Sequence, residues 1–399
     1  MTPELDDYRW LVNDAVPWLR DAAECSAPLA SLVPALRRNL SEARTHLVLE
    51  QVALRRRAQE KFSQAQRMFF TAQGLEQATD EALARYKSRR FSRDVPVADF
   101  CCGIGGDLLA LAERGPVIGV DRDEVCAILA TANCVPLGVA DARVLVADAQ
   151  EFLFDGVTAW HVDPDRRPHG HRTSQPDFYE PGPEVVDAWR TRCSVGAVKL
   201  APAAVVPESW RDECELEWIA SRGGCRQQVA WFGELARQTG QRSATVVTAG
   251  GESLRTVVGQ GDAPISLAPA VGRYLFEPNP AVLAAGLAGS LAAEHHLAAL
   301  AVEAGYLTGD APVDDAALAA FEVTDVLSFD TKRLKTLLRD RGIGRLEVKK
   351  RGVDIDPAQV QRTLRVPGDH SATLLVARLG KKVVAILAQR VSSSSAAGA

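Results

Sequence analysis

The chain has no apolar run near the roughly 20 residues that cross a bilayer, so no membrane span is expected. Its opening, Met-Thr-Pro-Glu-Leu-Asp-Asp, is acidic and polar and does not read as a signal peptide. None of the eight cysteines (25, 101, 102, 126, 134, 193, 214 and 225) forms a C-x-x-C pair. They read as buried thiols in a reducing compartment, neither disulfides nor zinc ligands, and the expected location is cytoplasmic. His161, His169 and His171 have no cysteine or further histidine at ligand spacing, so no metal is expected. No internal repeat is visible. The sequence leaves the oligomeric state open.

What is present is an ordinary soluble composition, 47% hydrophobic and 24% charged, over 399 residues. That length buries at least two cores. The net charge of −5 conceals an asymmetry. Residues 331–390 hold fifteen Lys and Arg against five Asp and Glu, a local +10, which leaves −15 for the remainder. A basic module on an acidic body suggests a polyanion, most simply a nucleic acid; a solvated basic surface is the plainer alternative.

The most informative stretch is Val97-Ala98-Asp99-Phe100-Cys101-Cys102-Gly103-Ile104-Gly105-Gly106-Asp107, with Gly119-Val120-Asp121 about one helix later. It reads as strand, tight turn, helix, and a second strand ending in an acid. A turn built on Gly103, Gly105 and Gly106 lets backbone approach a nucleotide-like ligand, and Asp121 stands where an acid grips ribose hydroxyls. There is no third glycine at Leu108, where a dinucleotide fingerprint wants one. Asp121 follows Gly103 by 18 residues, close to nicotinamide spacing, so spacing does not choose the cofactor.

Alternating strand and helix signals predict an α/β fold with a parallel sheet. Strands are expected at 97–101, 116–120, 143–147, 158–162 and 197–201. Two later runs, 215–219 and 243–247, are separated by a Gly-containing turn and a helix-like stretch; they are read as closing the sheet, one antiparallel. Residues 1–92 read as a helical region, with helical spacing over 36–54 and 58–70. Arg55, Arg56, Arg57 and Lys61 suit either RNA or a solvated face. Residues 93–250 form the sheet domain. Residues 251–320 read as an Ala/Gly-rich helical connector. Residues 321–391 read as a small basic α+β domain. It has a helix over 331–341, a strand over 346–350, a second helix capped by Asp356, and a hairpin around Gly380. Residues 392–399 read as a disordered tail.

These residues resemble a class I S-adenosylmethionine-dependent methyltransferase, over roughly residues 95–250, on Asp99–Asp107, Asp121, Asp148 and Asp163-Pro164 in strand order. The whole chain is similar to bacterial methyltransferases with a C-terminal THUMP-like domain. Asp163-Pro164-Asp165-Arg166-Arg167, Lys199-Leu200-Ala201-Pro202 and Leu346-Glu347-Val348-Lys349-Lys350-Arg351-Gly352 carry that match. Phe62, Phe69-Phe70-Thr71 and Gly74-Leu75-Glu76-Gln77 agree with it. Phe100–Gly106 also looks loosely similar to trimethylguanosine-synthase-type enzymes. The resemblance implies a Rossmann-like seven-stranded sheet with S-adenosylmethionine at the carboxyl ends of its strands. Asp99, Gly103 and Gly105 would approach the methionine portion, Asp121 the ribose and Asp148 the adenine edge. Cys101, Gly106, Arg122 and Ala149 complete the expected set.

The reacting end is expected at Asp163, Pro164, Arg166 and Arg167. Methyl transfer is an in-line displacement at a sulfonium and needs a held nucleophile and a route for its proton. Asp163 and the Pro164 carbonyl suit a base amino group. Amino-methyltransferases usually show a second proline and an aromatic where this chain has Asp165 and Arg166. Arg166 and Arg167 would then stack on a base or bind phosphate, or else pair with Asp163 or Asp165. Cys101 and Cys102 lie in the cofactor strand and read as buried thiols, not nucleophiles. Lys199 either lines the site or ends a strand.

The THUMP-like module implies docking of a tRNA or rRNA through Lys332, Arg333, Lys335, Arg339, Lys349, Lys350 and Arg351. The leading reading is an RNA methyltransferase. The alternatives are methylation of a protein or small molecule, or an RNA-binding protein with a vestigial cofactor site. A nicotinamide oxidoreductase is disfavoured because no His or Tyr acid stands beside the Asp163 loop.

Overall fold

A computed structural model describes residues 3–139, 141–167, 170–301, 305–379 and 382–391. The expected tail at 392–399, Gly380 and His169 lie outside the described residues. The chain forms two units. Unit 1 takes residues 1–215, 228–240 and 250–252; unit 2 takes 216–227, 241–249 and 253–399.

The strands, in chain order, begin with β1 (Val97–Phe100), β2 (Val117–Asp121), β3 (Ala142–Val146), β4 (Ala159–Val162) and β5 (Gly196–Leu200). Then come β6 (Cys214–Ser221), β7 (Gly224–Phe232), β8 (Arg242–Val247), β9 (Ser253–Gly259) and β10 (Tyr274–Pro278). The last are β11 (Ala298–Ala299), β12 (Leu307–Gly309), β13 (Leu318–Ser328), β14 (Ile343–Arg351), β15 (His370–Leu379) and β16 (Lys382–Arg390).

In unit 1 the order is β3-β2-β1-β4-β5-β7. β1 to β5 run parallel and β7 runs antiparallel to β5. β1 and β4 are buried throughout, as central parallel strands require. Trp160 on β4 faces Gly196 on β5, where a Cβ would meet the indole at 2.1 Å. Only glycine fits beside that ring.

Three expectations about elements fail. The helix expected over 36–54 begins at Glu42, capped by Ser41, and runs to Ala58. Residues 58–70 then form turns and a short 3₁₀ segment, Ala65–Arg67. Side-chain amides satisfy this backbone where a helix would otherwise have done so: Asn133 pairs with Phe69, and Gln51 Oε1 accepts from the Phe70 amide at 3.0 Å. Arg55 and Lys61, considered for RNA, face inward. Arg55 donates to the Met68 carbonyl at 2.8 Å, and Lys61 donates to the carbonyls of Leu75, Glu76 and Ala78.

The helix-like stretch expected after residue 219 is instead β7. Arg222 and Gly223 both take positive φ between β6 and β7, a two-residue hairpin turn, and the apolar run 229–232 follows. The expected helical connector at 251–320 contains β9 to β12 and the start of β13, and among its described residues only two short helices, Pro280–Ala284 and Ala288–Glu294. Proline opens the first of these and Gly286, at φ +70°, separates them. Alanine content alone does not sustain a helix across such breaks.

In unit 2, β6 lies parallel to β8 and β8 antiparallel to β9. A separate seven-stranded sheet has the order β11-β12-β10-β13-β16-β15-β14. Its last part holds the basic module, with helices Thr331–Asp340 and Pro357–Thr363. Leu334, Leu338, Val360 and Leu364 pack with Leu374, Ala385 and Leu387 of the strands. Leu275, Phe321, Leu375 and Ile386 form a second cluster. No described helix is long and apolar enough to cross a membrane.

Candidate active site

The chain leaves β1 through a tight turn. Cys101 (φ +55°), Gly103 (φ +55°) and Gly105 (φ +93°) are all left-handed, and a helix then runs from Gly106 to Ala112. The glycines differ in what they do. A Cβ on Gly103 would meet no atom within 4 Å, so this position faces open space. A Cβ on Gly106 would meet the Thr79 backbone oxygen at 3.0 Å and nitrogen at 3.1 Å. Gly106 therefore admits the neighbouring chain, although it also lines the cleft. Gly105 serves the turn and is not in the cleft lining.

At the carboxyl ends of β1 to β4 lies a cleft of about 540 Å³. It is lined by Asp99, Cys101, Gly103, Gly106, Asp121, Arg122, Asp148, Ala149, Asp163, Pro164, Arg166 and Arg167. Of the thirteen expected cofactor and catalytic residues, only Gly105 is absent from this wall. Asp121 accepts from the Gly103 amide at 2.8 Å and the Asp123 amide at 2.9 Å, which ties the turn to the end of β2. Burial pushes its carboxyl up, and these two backbone bonds oppose that. Asp148 accepts from the Gln150 amide at 2.9 Å and caps the short turn Ala149–Glu151.

The sequence reading missed one wall. Tyr8 and the segment Thr71–Thr79 line the cleft from the N-terminal side. Thr71 caps helix Ala72–Gln77, and Gly74 sits where a Cβ would meet Ile104 at 2.6 Å. The Arg167 guanidinium bonds Glu76 of this wall at 2.6 Å and not Asp163 or Asp165, while its backbone amide donates to Asp165 Oδ1 at 3.0 Å. Arg166 makes no salt bridge among the described residues. Arg122 pairs with Glu180 at 3.0 Å.

Beneath the cleft floor runs a buried polar chain. Asp99 on β1 and His161 on β4 are register partners, which places them side by side on one face. Asp99 Oδ1 lies 2.7 Å from His161 Nδ1, and His161 Nε2 lies 3.2 Å from Lys87 Nζ. Lys87 also bonds Asp107 at 2.8 Å. Thr79 donates to Asp107 at 2.6 Å and accepts from Lys199 at 2.9 Å. Lys199 ends on Asp163 Oδ2 at 2.5 Å.

Burial drives Lys87 down, against the pull of Asp107. Burial pushes Asp99 up, against the His161 hydrogen bond. Burial also opposes ionisation of Asp107, but Lys87, His161 and Lys199 outweigh it and hold this carboxyl below its ordinary value. Asp99 Oδ2 is buried with no partner among the described residues. Cys101 and Cys102 are pushed well up by burial, so neither is a ready thiolate.

In the basic module Lys332, Arg333, Lys335, Arg339 and Lys350 are exposed. Lys349 and Arg351 both pair with Glu277, at 2.6 and 3.3 Å, and are half-buried. Elsewhere in unit 2, Glu294, His295 and Asp315 are close enough to share a metal ion. Arg255 bonds both carboxylates, at 2.5 and 3.0 Å, and supplies their counter-charge.

Parallel strands that end on a glycine turn and a run of acids, around an open cleft, define a class I methyltransferase fold. A crystal structure from Porphyromonas gingivalis, provisionally described as a methyltransferase, shares the fold. Its TM-score is 0.80 at 19% identity, over 98% of this chain and 100% of that one. Residues 318–390 match the family described as THUMP domain-like. An uncharacterised S-adenosylmethionine-dependent methyltransferase of Mycobacterium tuberculosis, found in two strains, is 33% identical over 344 residues. That match covers 84% of this chain and 92% of the relative. The chain belongs to this family of S-adenosylmethionine-dependent methyltransferases and carries a THUMP-like domain at its C-terminal end. It is an enzyme, and S-adenosylmethionine is its cofactor.

Proposed function

We propose that the enzyme methylates a base in a structured RNA, a tRNA or an rRNA, and that the THUMP-like domain docks that RNA. The observation that carries this reading is the helix Thr331–Asp340. Leu334 and Leu338 face the core, while Lys332, Arg333, Lys335 and Arg339 are exposed. No salt bridge holds any of these four among the described residues. Such a stripe suits phosphates, and Lys350 extends it. Lys349 and Arg351, held by Glu277, contribute less.

The cleft fits the cofactor. Gly103 leaves space where a side chain would intrude, and the partnerless Asp99 Oδ2 suits a cationic donor such as the methionine ammonium. Asp121, already aimed by two backbone amides, retains lone pairs for ribose hydroxyls. Asp148 and Ala149 would meet the adenine edge, with Cys101, Gly106 and Arg122 completing the wall. When bound, S-adenosylmethionine supplies a sulfonium methyl for in-line displacement.

The chain's own part is to hold the acceptor and receive its proton. Asp163 lines the cleft, and Lys199 fixes its Oδ2; Oδ1 has no side-chain partner among the described residues. Oδ1 and the Pro164 carbonyl would accept from an amino group and orient its lone pair. Arg166 would contact the base or a neighbouring phosphate.

The test is transfer of labelled methyl to total RNA from cells lacking this gene, with parent-strain RNA and an Asp163→Ala enzyme as controls. Label in the gene-less RNA alone, and only with intact enzyme, is expected. Label in protein or small molecules instead would refute the RNA reading. RNA binding without any transfer would point to a vestigial site.

A further inference from the structure

We propose that Lys199 is a positioning residue for the methyl-transfer step, clamping one oxygen of Asp163 so that only the other is offered to the acceptor. This rests on the role of Asp163 in the reading above, but not on the acceptor being RNA.

The clamp is built on buried central strands of unit 1. β4 and β5 pair through His161↔Ala197 and Val162↔Val198. One step further along that register brings Asp163 beside Lys199, whose other neighbour is Val229 of β7. The Lys199 side chain is 8% exposed and that of Asp163 23%. The ammonium therefore lies behind the carboxylate, on the side away from solvent. Lys199 is not part of the cleft lining, so it acts through Asp163 and not on the acceptor.

Its direction is set as well. Thr79 has one hydroxyl proton, which goes to Asp107, so toward Lys199 it can only accept. Asp107 is in turn held by Lys87, and Lys87 by His161, whose other nitrogen meets Asp99 at the cofactor end. Each member removes a choice of orientation from the next. Stability alone is a weak reason for such an arrangement, because buried ion pairs often break even against apolar residues of similar volume. Orientation is the stronger reason. Asp163 is aligned before any acceptor arrives, and a misplacement of about 1 Å in a reacting group costs on the order of a hundredfold in rate.

The experiment compares the full-length wild type with Lys199→Met, Lys199→Arg and Thr79→Val. The probe is labelled S-adenosylmethionine added to a complete extract of cells lacking the gene, with RNA, protein and small-molecule fractions counted separately. Affinity for S-adenosylhomocysteine is measured by calorimetry, and folding by thermal unfolding. Lys199→Met is expected to lower apparent kcat about a hundredfold. Its KM for S-adenosylmethionine and its affinity for S-adenosylhomocysteine should stay within about threefold of wild type, a change of no more than about 0.65 kcal/mol. Lys199→Arg should recover at least about a tenfold share, because the cation is kept. If Lys199→Met does not fold, Thr79→Val carries the test, with a fall in kcat of about tenfold that exceeds any fall in S-adenosylhomocysteine affinity, since the charge remains and its alignment is lost.

Three results would overturn the proposal: near-wild-type kcat in both Lys199→Met and Thr79→Val, a loss of rate matched by an equal loss of cofactor affinity, or no rescue by arginine. Wild-type label in protein or small molecules would refute the RNA reading, while the Lys199 comparison is read on that fraction. No wild-type label in any fraction would overturn both.

Discussion

Lys87 and Asp107 show at the scale of single residues why this site tolerates little change. Both are buried, and each is the other's main counter-charge. Lys87→Met would leave Asp107 ionised in low dielectric with only Thr79, His161 and Lys199 around it. The expected cost is about 3–5 kcal/mol, read by urea unfolding. A loss within about 1 kcal/mol would show that the site repacks or admits water.

Asp107 also gives stability a pH dependence whose sign is fixed. Its folded pKa lies below the ordinary 3.8, so its contribution is complete above that value and is lost as pH falls below it. The difference in unfolding free energy between wild type and Asp107→Asn should therefore shrink between about pH 6 and about pH 3. A constant difference would mean that Asp107 does not carry a charge here.

These residues were also the least legible in the sequence. Asp99 and Asp121 stood at strand ends, where a pattern marks them. His161 was weighed only as a possible metal ligand, although its alignment with Asp99 across two parallel strands would have paired them. Lys87 lies in an ordinary helix with no local sign of burial, and only the tertiary fold brings it to Asp107. The same holds for Tyr8.

At the scale of elements, the glycine turn was readable because it uses backbone conformations that few residues adopt. The sequence suggested one role for its glycines, and the structure separates them. Gly103→Ala adds a methyl group to open space in the cleft at a left-handed φ. The expected cost is about 1–2 kcal/mol of stability together with a larger loss of S-adenosylmethionine affinity. Gly106→Ala drives a Cβ against the Thr79 backbone. Here about 1–3 kcal/mol of stability should go, because backbone must shift and with it the Thr71–Thr79 wall. Calorimetric affinity beside chemical unfolding distinguishes the two, and equal affinity losses per unit of stability would refute the distinction.

Of the helices at 331 and 357, the second was legible from Asp356, whose side chain acts within its own turn, whereas the cap of the first, Asp330, emerges only in the structure, where it accepts from the Lys332 and Arg333 amides. Residues 58–70 and 251–320 were not legible. The first is held by amides from Gln51 and Asn133, distant in sequence. The second has helix-forming composition cut short by Asn279, Pro280 and Gly286. The Gly-containing turn before β7 was expected and is there at Arg222-Gly223, but β7 itself was missed because its first residues, Arg226, Gln227 and Gln228 among them, are polar and carry no strand pattern.

At the scale of the whole molecule, charge is sorted along the chain, and the sorting makes a measurable claim. The excess of +10 in residues 331–390 is not uniformly available. Arg341 pairs with Asp325, Arg390 with Glu347, and Lys349 and Arg351 with Glu277. Among the described residues no ion pair holds the four cations of the helix Thr331–Asp340, nor Arg345, Lys350, Arg365, Arg378 or Lys382, so the helix gathers the densest group of what remains for a polyanion but not all of it. Replacing Lys332, Arg333, Lys335 and Arg339 by Glu should weaken binding to the gene-less RNA and reduce the magnitude of its salt slope. The reduction should be about 0.7–0.9 for each phosphate that is no longer neutralised. S-adenosylhomocysteine affinity, which depends on the cleft of unit 1, should not change. Replacing Lys349 and Arg351 by Gln should alter the slope by less than a single phosphate would, because their charge is already met within unit 2. A slope equally sensitive to both sets would show that net charge and not this helix attracts the RNA. A slope insensitive to both would remove the basic module from substrate recognition and leave the cleft to select its acceptor alone.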